Sequence, residues 1–130
     1  FDGTDSARSS ANAAAIMTWG TIDLIENTTF TNFTSTGDAG AILIMGGGNT
    51  KIKNSTFKNN KGANGGAIYT YGNVEIENAD IESNSGTNGG FLYTEGSVEL
   101  YNTNSLFSLS FLCVLQYSAK GSLILSPKAF

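Results

Sequence analysis

The chain has 130 residues, a net charge of −4, sixteen glycines, one proline, one cysteine and no histidine. The missing histidine removes the commonest general base and metal ligand and excludes a Ser–His–Asp arrangement. No basic run exists, so nucleic acid is not an expected partner, and the lone Cys113 allows no internal disulfide and no zinc cluster.

Read in chain order, two phrases recur. The first coil, residues 1–29, carries Ala14-Ala15-Ile16-Met17 and then runs into Leu24 to Phe30 (LIENTTF). The second, 30–56, carries Gly40-Ala41-Ile42-Leu43 and leads into Thr50 to Phe57 (TKIKNSTF). The third, 57–80, is the cleanest, with Gly66-Ala67-Ile68-Tyr69 and Val74 to Ile81 (VEIENADI). The fourth, 81–104, has Gly90-Phe91-Leu92-Tyr93 and Val98 to Ser105 (VELYNTNS). The fifth, 105–130, is divergent: Val114-Leu115-Gln116-Tyr117 echoes the first phrase, with Tyr117 under Tyr93, and Leu123 to Phe130 (LILSPKAF) echoes the second.

Aligned on their last residue, the second phrases step by 27, 24, 24 and 25 residues. A fixed period of this size marks a solenoid. Within one unit, Ile68-Tyr69-Thr70 favours a pleated strand. Val74-Glu75-Ile76-Glu77 alternates apolar and charged as a half-buried strand does. Gly and Asn at 61–66, 72–73 and 78 supply turns, with positive φ expected there. The expected fold is all-β: a single right-handed parallel β-helix segment of about five coils, roughly 24–27 residues each. We expect it to be part of a longer array, because no capping unit is evident.

Stacked coils turn equivalent residues into ladders. Phe30, Phe57, Ile81 and Phe130 form one expected internal ladder, Ile25, Ile52, Ile76, Leu100 and Leu125 a second, and Val74, Val98 and Leu123 a third. Asn27, Asn54, Asn78 and Asn102 fall at one turn, read as a structural amide ladder. Outside, Lys51 aligns with Glu75 and Glu99, and Lys53 with Glu77, as cross-strand ion pairs; a calcium ion bridging Glu75 and Glu99 is the less favoured alternative to a solvated face. The apolar stretch 106–117 is too short for a membrane helix, which needs about 20 residues, so no membrane span is expected.

The phrases Phe57-Lys-Asn-Asn60 and Gly65-Gly-Ala-Ile68 resemble the FxxN and GGA[ILV] repeats of the chlamydial polymorphic outer membrane proteins. Ile81-Glu-Ser-Asn84, Phe30-Thr-Asn-Phe33, Ala39-Gly-Ala-Ile42 and Gly89-Gly-Phe-Leu92 are variants of them. The resemblance implies a surface-displayed β-helix passenger acting in adhesion; that family's β-barrel anchor has no counterpart in this sequence.

Function follows at lower resolution. The expectation is a non-enzymatic extracellular or cell-surface protein, a fibre component or adhesin-like passenger, with glycans or host-surface ligands as partners and end-to-end self-association through open strand edges. Its alternative is a polysaccharide-binding or polysaccharide-degrading β-helix. No catalytic residue, cofactor or metal site is assigned, since hydrolases need convergent carboxylates and Asp23, Asp38 and Asp80 occupy different repeat positions. Three sequons place N-glycosylation at Asn32, in a turn, and less favourably at Asn27 and Asn54, expected to be buried in the ladder. Tyr69, Tyr93 and Tyr117 align as a column that would stack on sugar rings if exposed.

Overall fold

The computed structural model describes residues 1–3, 13, 15–101, 104–105, 114–116 and 123–126, the last three segments as backbone only. Three parallel sheets form the walls of a solenoid, each taking one short strand from successive coils. The first sheet holds β1 (Ile16–Thr18), β4 (Ile42–Ile44), β7 (Ile68–Thr70), β10 (Leu92–Thr94) and β13 (Val114–Gln116). The second holds β2 (Leu24–Glu26), β5 (Asn49–Lys53), β8 (Asn73–Glu77), β11 (Val98–Tyr101) and β14 (Leu123–Ser126). The third holds β3 (Thr29–Thr31), β6 (Thr56–Lys58), β9 (Asp80–Glu82) and β12 (Asn104–Ser105).

As far as Leu100, the expected apolar ladders line the lumen. Phe1, Phe30 and Phe57 stack face to face at 5.0 and 5.3 Å. Ile52 pairs with Ile76, Ile76 with Leu100 and Leu100 with Leu125, while Val74 pairs with Val98 and Val98 with Leu123. Ile81 continues the phenylalanine column with a smaller side chain, and the same coil carries Phe91 where the others have Ala41 and Ala67. Phe91 is fully buried with its ring edge-on to Phe57 at 5.3 Å. Phe91 thus packs on the phenylalanine column in the coil where that column changes to the smaller Ile81. Phe130 lies outside the described residues, as do Asn102 and Cys113.

The corners differ from expectation in chemistry. Among the described residues no glycine has positive φ; the left-handed positions are Asn27, Asn32, Asn54, Asn59, Asn78 and Ser83. They form two columns, flanking the strands of the third sheet on either side. Asparagine tolerates this conformation because its short polar side chain compensates locally. The GGA glycines serve close approach instead. A Cβ on Gly40 would run into the Gly66 carbonyl, and one on Gly66 into the Gly90 carbonyl. Coils stack there backbone on backbone.

The buried asparagine ladder is the last residue of the FxxN motif, not the Asn27 column. Asn60 is wholly buried. Its Oδ1 accepts from the Phe33 N–H at 3.1 Å, and its Nδ2 donates to the Phe30 carbonyl at 2.9 Å and to Asn84 Oδ1 at 2.9 Å. Asn84 Nδ2 donates to the Phe57 carbonyl at 2.8 Å. This inward amide joins three successive coils and satisfies backbone groups that the turn leaves unpaired.

The fifth-coil register in the first sheet needs correction. Leu115, not Tyr117, pairs with Tyr93, and Val114 pairs with Leu92. A two-residue slip keeps the in–out alternation of a strand, so the apolar pattern cannot distinguish the registers; aligning Tyr117 under Tyr93 selects the wrong one. The unequal period also has a location. The corner between the first and second sheets spans 45–48 in the second coil but only 71–72 in the third, which accounts for two of the three extra residues.

Candidate functional site

The tyrosine column is not a displayed sugar platform. Tyr69 and Tyr93 stack on each other, centroids 4.7 Å apart, and are 8% and 7% exposed. They join Ala39 and Leu43 in a second, smaller apolar cluster, edged by Ala13 and Met45 and separate from the main core. Stacking on a sugar needs an open ring face, and these two rings do not offer one. Tyr117 lies outside the described residues.

Burial, then the hydrogen-bonded Tyr71 hydroxyl, push the Tyr69 phenol well above its ordinary value of 10.0. The sign of the linkage follows. An unfolded chain releases this proton near pH 10 while the folded chain retains it, so the stabilisation is intact below about pH 10 and lost as pH rises towards the folded value. Urea midpoints measured from about pH 9 to 12 should fall with pH, and fall less steeply in Tyr69→Phe. Identical pH slopes for the two proteins would contradict this assignment.

The sequon asparagines are also placed differently from expectation. Asn27 and Asn54 are exposed at outer corners, with φ of 52° and 49°. The left-handed turn swings their side chains off the strand alternation that suggested burial. Asn32, expected to be the most accessible, is half-buried; its Nδ2 donates to Asp2 Oδ1 at 3.0 Å and its Oδ1 accepts from Asn59 Nδ2 at 3.4 Å. Asn54 Oδ1 accepts from Asn78 Nδ2 at 3.2 Å.

The outward charges are arranged in pairs across coils. Lys51 meets Glu75 at 3.4 Å, Lys53 meets Glu77 at 3.7 Å, and Lys58 meets Glu82 at 2.9 Å. The third pair escaped sequence reading because it lies on the third sheet, where the repeat phrase ends. Its hydrogen bond to Glu82 and the carboxylate's charge raise the Lys58 pKa. Glu99, in register with Glu75, accepts the Tyr101 hydroxyl at 2.7 Å, and that bond raises the tyrosine's pKa. Among the described residues no group of three or more His, Cys, Asp or Glu converges as a metal site, and no helix is long and apolar enough to cross a membrane.

One surface depression brings different chemistry together. It lies where the first sheet turns into the second, has a volume of about 340 Å³, and is lined by Asn49, Asn73, Val74, Glu75, Ser97 and Glu99. The corner is built by hydroxyls folding back on the turn: Gly20, Gly72 and Gly96 donate their N–H to Oγ1 of Thr18, Thr70 and Thr94 at 3.0, 3.1 and 3.0 Å. Side chain–backbone bonds of this kind hold a tight turn without further residues. The amide row is fixed as well. Asn73 Nδ2 donates to Asn49 Oδ1 at 2.8 Å, and its Oδ1 accepts the Ser97 N–H at 2.8 Å.

Beside this row runs an apolar column. Met45 N–H donates to the Thr18 carbonyl and Tyr71 N–H to the Ile44 carbonyl, which places Trp19, Met45 and Tyr71 at the same corner of successive coils. Trp19 is 75% exposed and Tyr71 38%. Sequence reading missed both, because unequal corner lengths hide the column; the signal available was the alternation Tyr71, Asn73, Glu75, Glu77 through buried Gly72, Val74 and Ile76.

The model of the right-handed β-helix region matches residues 6–124. No curated protein and no solved structure matches the chain. With three parallel sheets wound coil upon coil and a family match over nearly its whole length, the chain belongs to the right-handed β-helix family.

Proposed function

We propose that this chain is a non-catalytic segment of an extracellular surface protein, using the solenoid as a rigid rod that displays its outer faces for recognition. The observation that carries this reading is the state of the aligned acids. Glu75, Glu77 and Glu82 each face a lysine, and Glu99 accepts a tyrosine hydroxyl. All four carboxylates are thus engaged by a lysine or a tyrosine, whereas glycoside hydrolysis needs a pair of carboxyl groups turned towards the substrate. The FxxN and GGA[ILV] resemblance supports an adhesin-like passenger in the same direction, and the buried Asn60 ladder suits a rod whose coils must not slip.

The test is turnover. The purified chain is incubated with polygalacturonate, xylan, soluble cellulose derivatives and chitin oligomers, and new reducing ends and unsaturated uronates are measured against a boiled control. No product above the control is expected. Product from any of these substrates would overturn the non-catalytic reading and redirect attention to the Glu75–Glu99 groove.

A further inference from the structure

We infer that Tyr69 and Tyr93 are a site of oxidative cross-linking: a one-electron oxidant acting at Tyr71 joins their rings by a carbon–carbon bond and staples the third coil to the fourth. The inference goes beyond the recognition reading and does not depend on it. Three observations carry it.

The first is the stack. Tyr69 and Tyr93 are partners in the register of the first sheet, so their rings meet as equivalents from adjacent coils, one strand spacing apart. The centroids are 4.7 Å apart and the planes 20° from parallel. A tyrosyl radical carries spin on the ring carbons beside its hydroxyl, and those carbons couple when two such rings meet. Rings already held in contact need no diffusional encounter.

The second is access. Tyr69 and Tyr93 are buried, whereas Tyr71 is exposed. The Tyr71 ring meets the Tyr69 ring edge-on at 5.4 Å. The two hydroxyls share a hydrogen bond that keeps the proton on Tyr69. A phenol both donates and accepts, so a Tyr71 oxyl radical takes the Tyr69 hydrogen along this bond and is itself restored. The oxidant therefore touches only Tyr71.

The third is confinement. Ala39 and Leu43 complete this cluster, which lies apart from the main core. Their aliphatic side chains do not surrender hydrogen to a phenoxyl radical. Joining the two rings also leaves the packing of the lumen untouched.

The oxidant is a peroxide acting through a haem peroxidase. Tyr71 gives it one hydrogen atom and regains one from Tyr69, and the Tyr69 ring carbon then bonds to that of Tyr93. A second one-electron oxidation with loss of the ring proton restores the aromaticity of Tyr93, while Tyr69 moves its own ring proton back to oxygen. In sum two hydrogen atoms leave the chain, and one peroxide becomes two waters.

The purified chain is treated in dilute solution with peroxide and a haem peroxidase, then cleaved after glutamate. Tyr69 and Tyr71 fall in the peptide 27–75, Tyr93 in 83–95 and Tyr101 beyond residue 99. A linked 27–75/83–95 peptide, lighter than the sum of its parts by two hydrogen atoms and with dityrosine fluorescence, is expected from monomeric chain. Tyr69→Phe should lose it, and Tyr71→Phe should form it several-fold more slowly. Both variants keep the ring, and their urea unfolding before oxidation checks that they fold. The cross-linked chain should show a higher urea midpoint than the untreated one, because the link restricts the unfolded chain, and oxidised Tyr69→Phe should show no such rise. Absence of the linked peptide from the parent chain, its persistence in Tyr69→Phe, or an unchanged rate in Tyr71→Phe would overturn the inference.

Discussion

Asn60→Ala is expected to lower the stability of the fold by about 2–5 kcal/mol, the sum of leaving more than one buried polar group without a partner. The substitution removes the acceptor of the Phe33 N–H and the donor to the Phe30 carbonyl, both of which it strands inside the coil. It also takes the side-chain donor from Asn84 Oδ1, which keeps only the backbone N–H of residue 60. Asn84→Ala should cost less, because Asn84 is partly exposed and water can replace it. Urea denaturation of the two variants measures the order. A destabilisation by Asn60→Ala no larger than that of Asn84→Ala would refute the view that this amide joins the coils.

Gly66→Ala is expected to be comparably severe, with loss of at least ~2 kcal/mol or failure to fold, at the upper end of what overpacking costs. The added methyl would point at the Gly90 carbonyl and lie 2.6 Å from the Ser85 nitrogen. Both are backbone of the next coil, so no side-chain rotation relieves the contact. The informative control is Gly47→Ala, where the methyl enters open space; it should fall within about 0.5 kcal/mol of the parent. If both glycines tolerate alanine equally in thermal melts, close backbone approach is not what the GGA motif provides.

The period and the lumen ladders were legible because buried apolar residues recur with the strand alternation. Ile52, Ile76, Leu100 and Leu125 fall into register from sequence alone, even into the divergent fifth coil. The same alternation failed at Tyr117, where a slip of two residues leaves every side chain on its expected face. The asparagines were grouped correctly as columns but assigned the wrong depth. A left-handed residue such as Asn54 breaks the alternation from which depth is inferred, so the column expected to be buried is exposed, while the buried Asn60 stands in the sequence only as the end of the FxxN phrase. The corner site was hidden for a different reason: Trp19 and Tyr71 stand at one place in space but are followed by corners of different length, and a column of unlike residues has no signature in one sequence.

The exposed amide rows have a direction. Asn59 donates to Asn32 and Asn32 to Asp2; Asn78 donates to Asn54; Asn73 donates to Asn49; Asn88 donates to Asn64 and Asn64 to Asp38. In every row the N–H points to the preceding coil, so the side-chain dipoles add along the axis as peptide dipoles add along a helix. A carboxylate accepts but cannot donate, which allows it to end such a row but not to sit within it. Asp2 and Asp38 stand where two of the rows end. The rod is thus electrically polar from coil to coil, and its excess of asparagine over aspartate is the composition that a directed chain of amides demands.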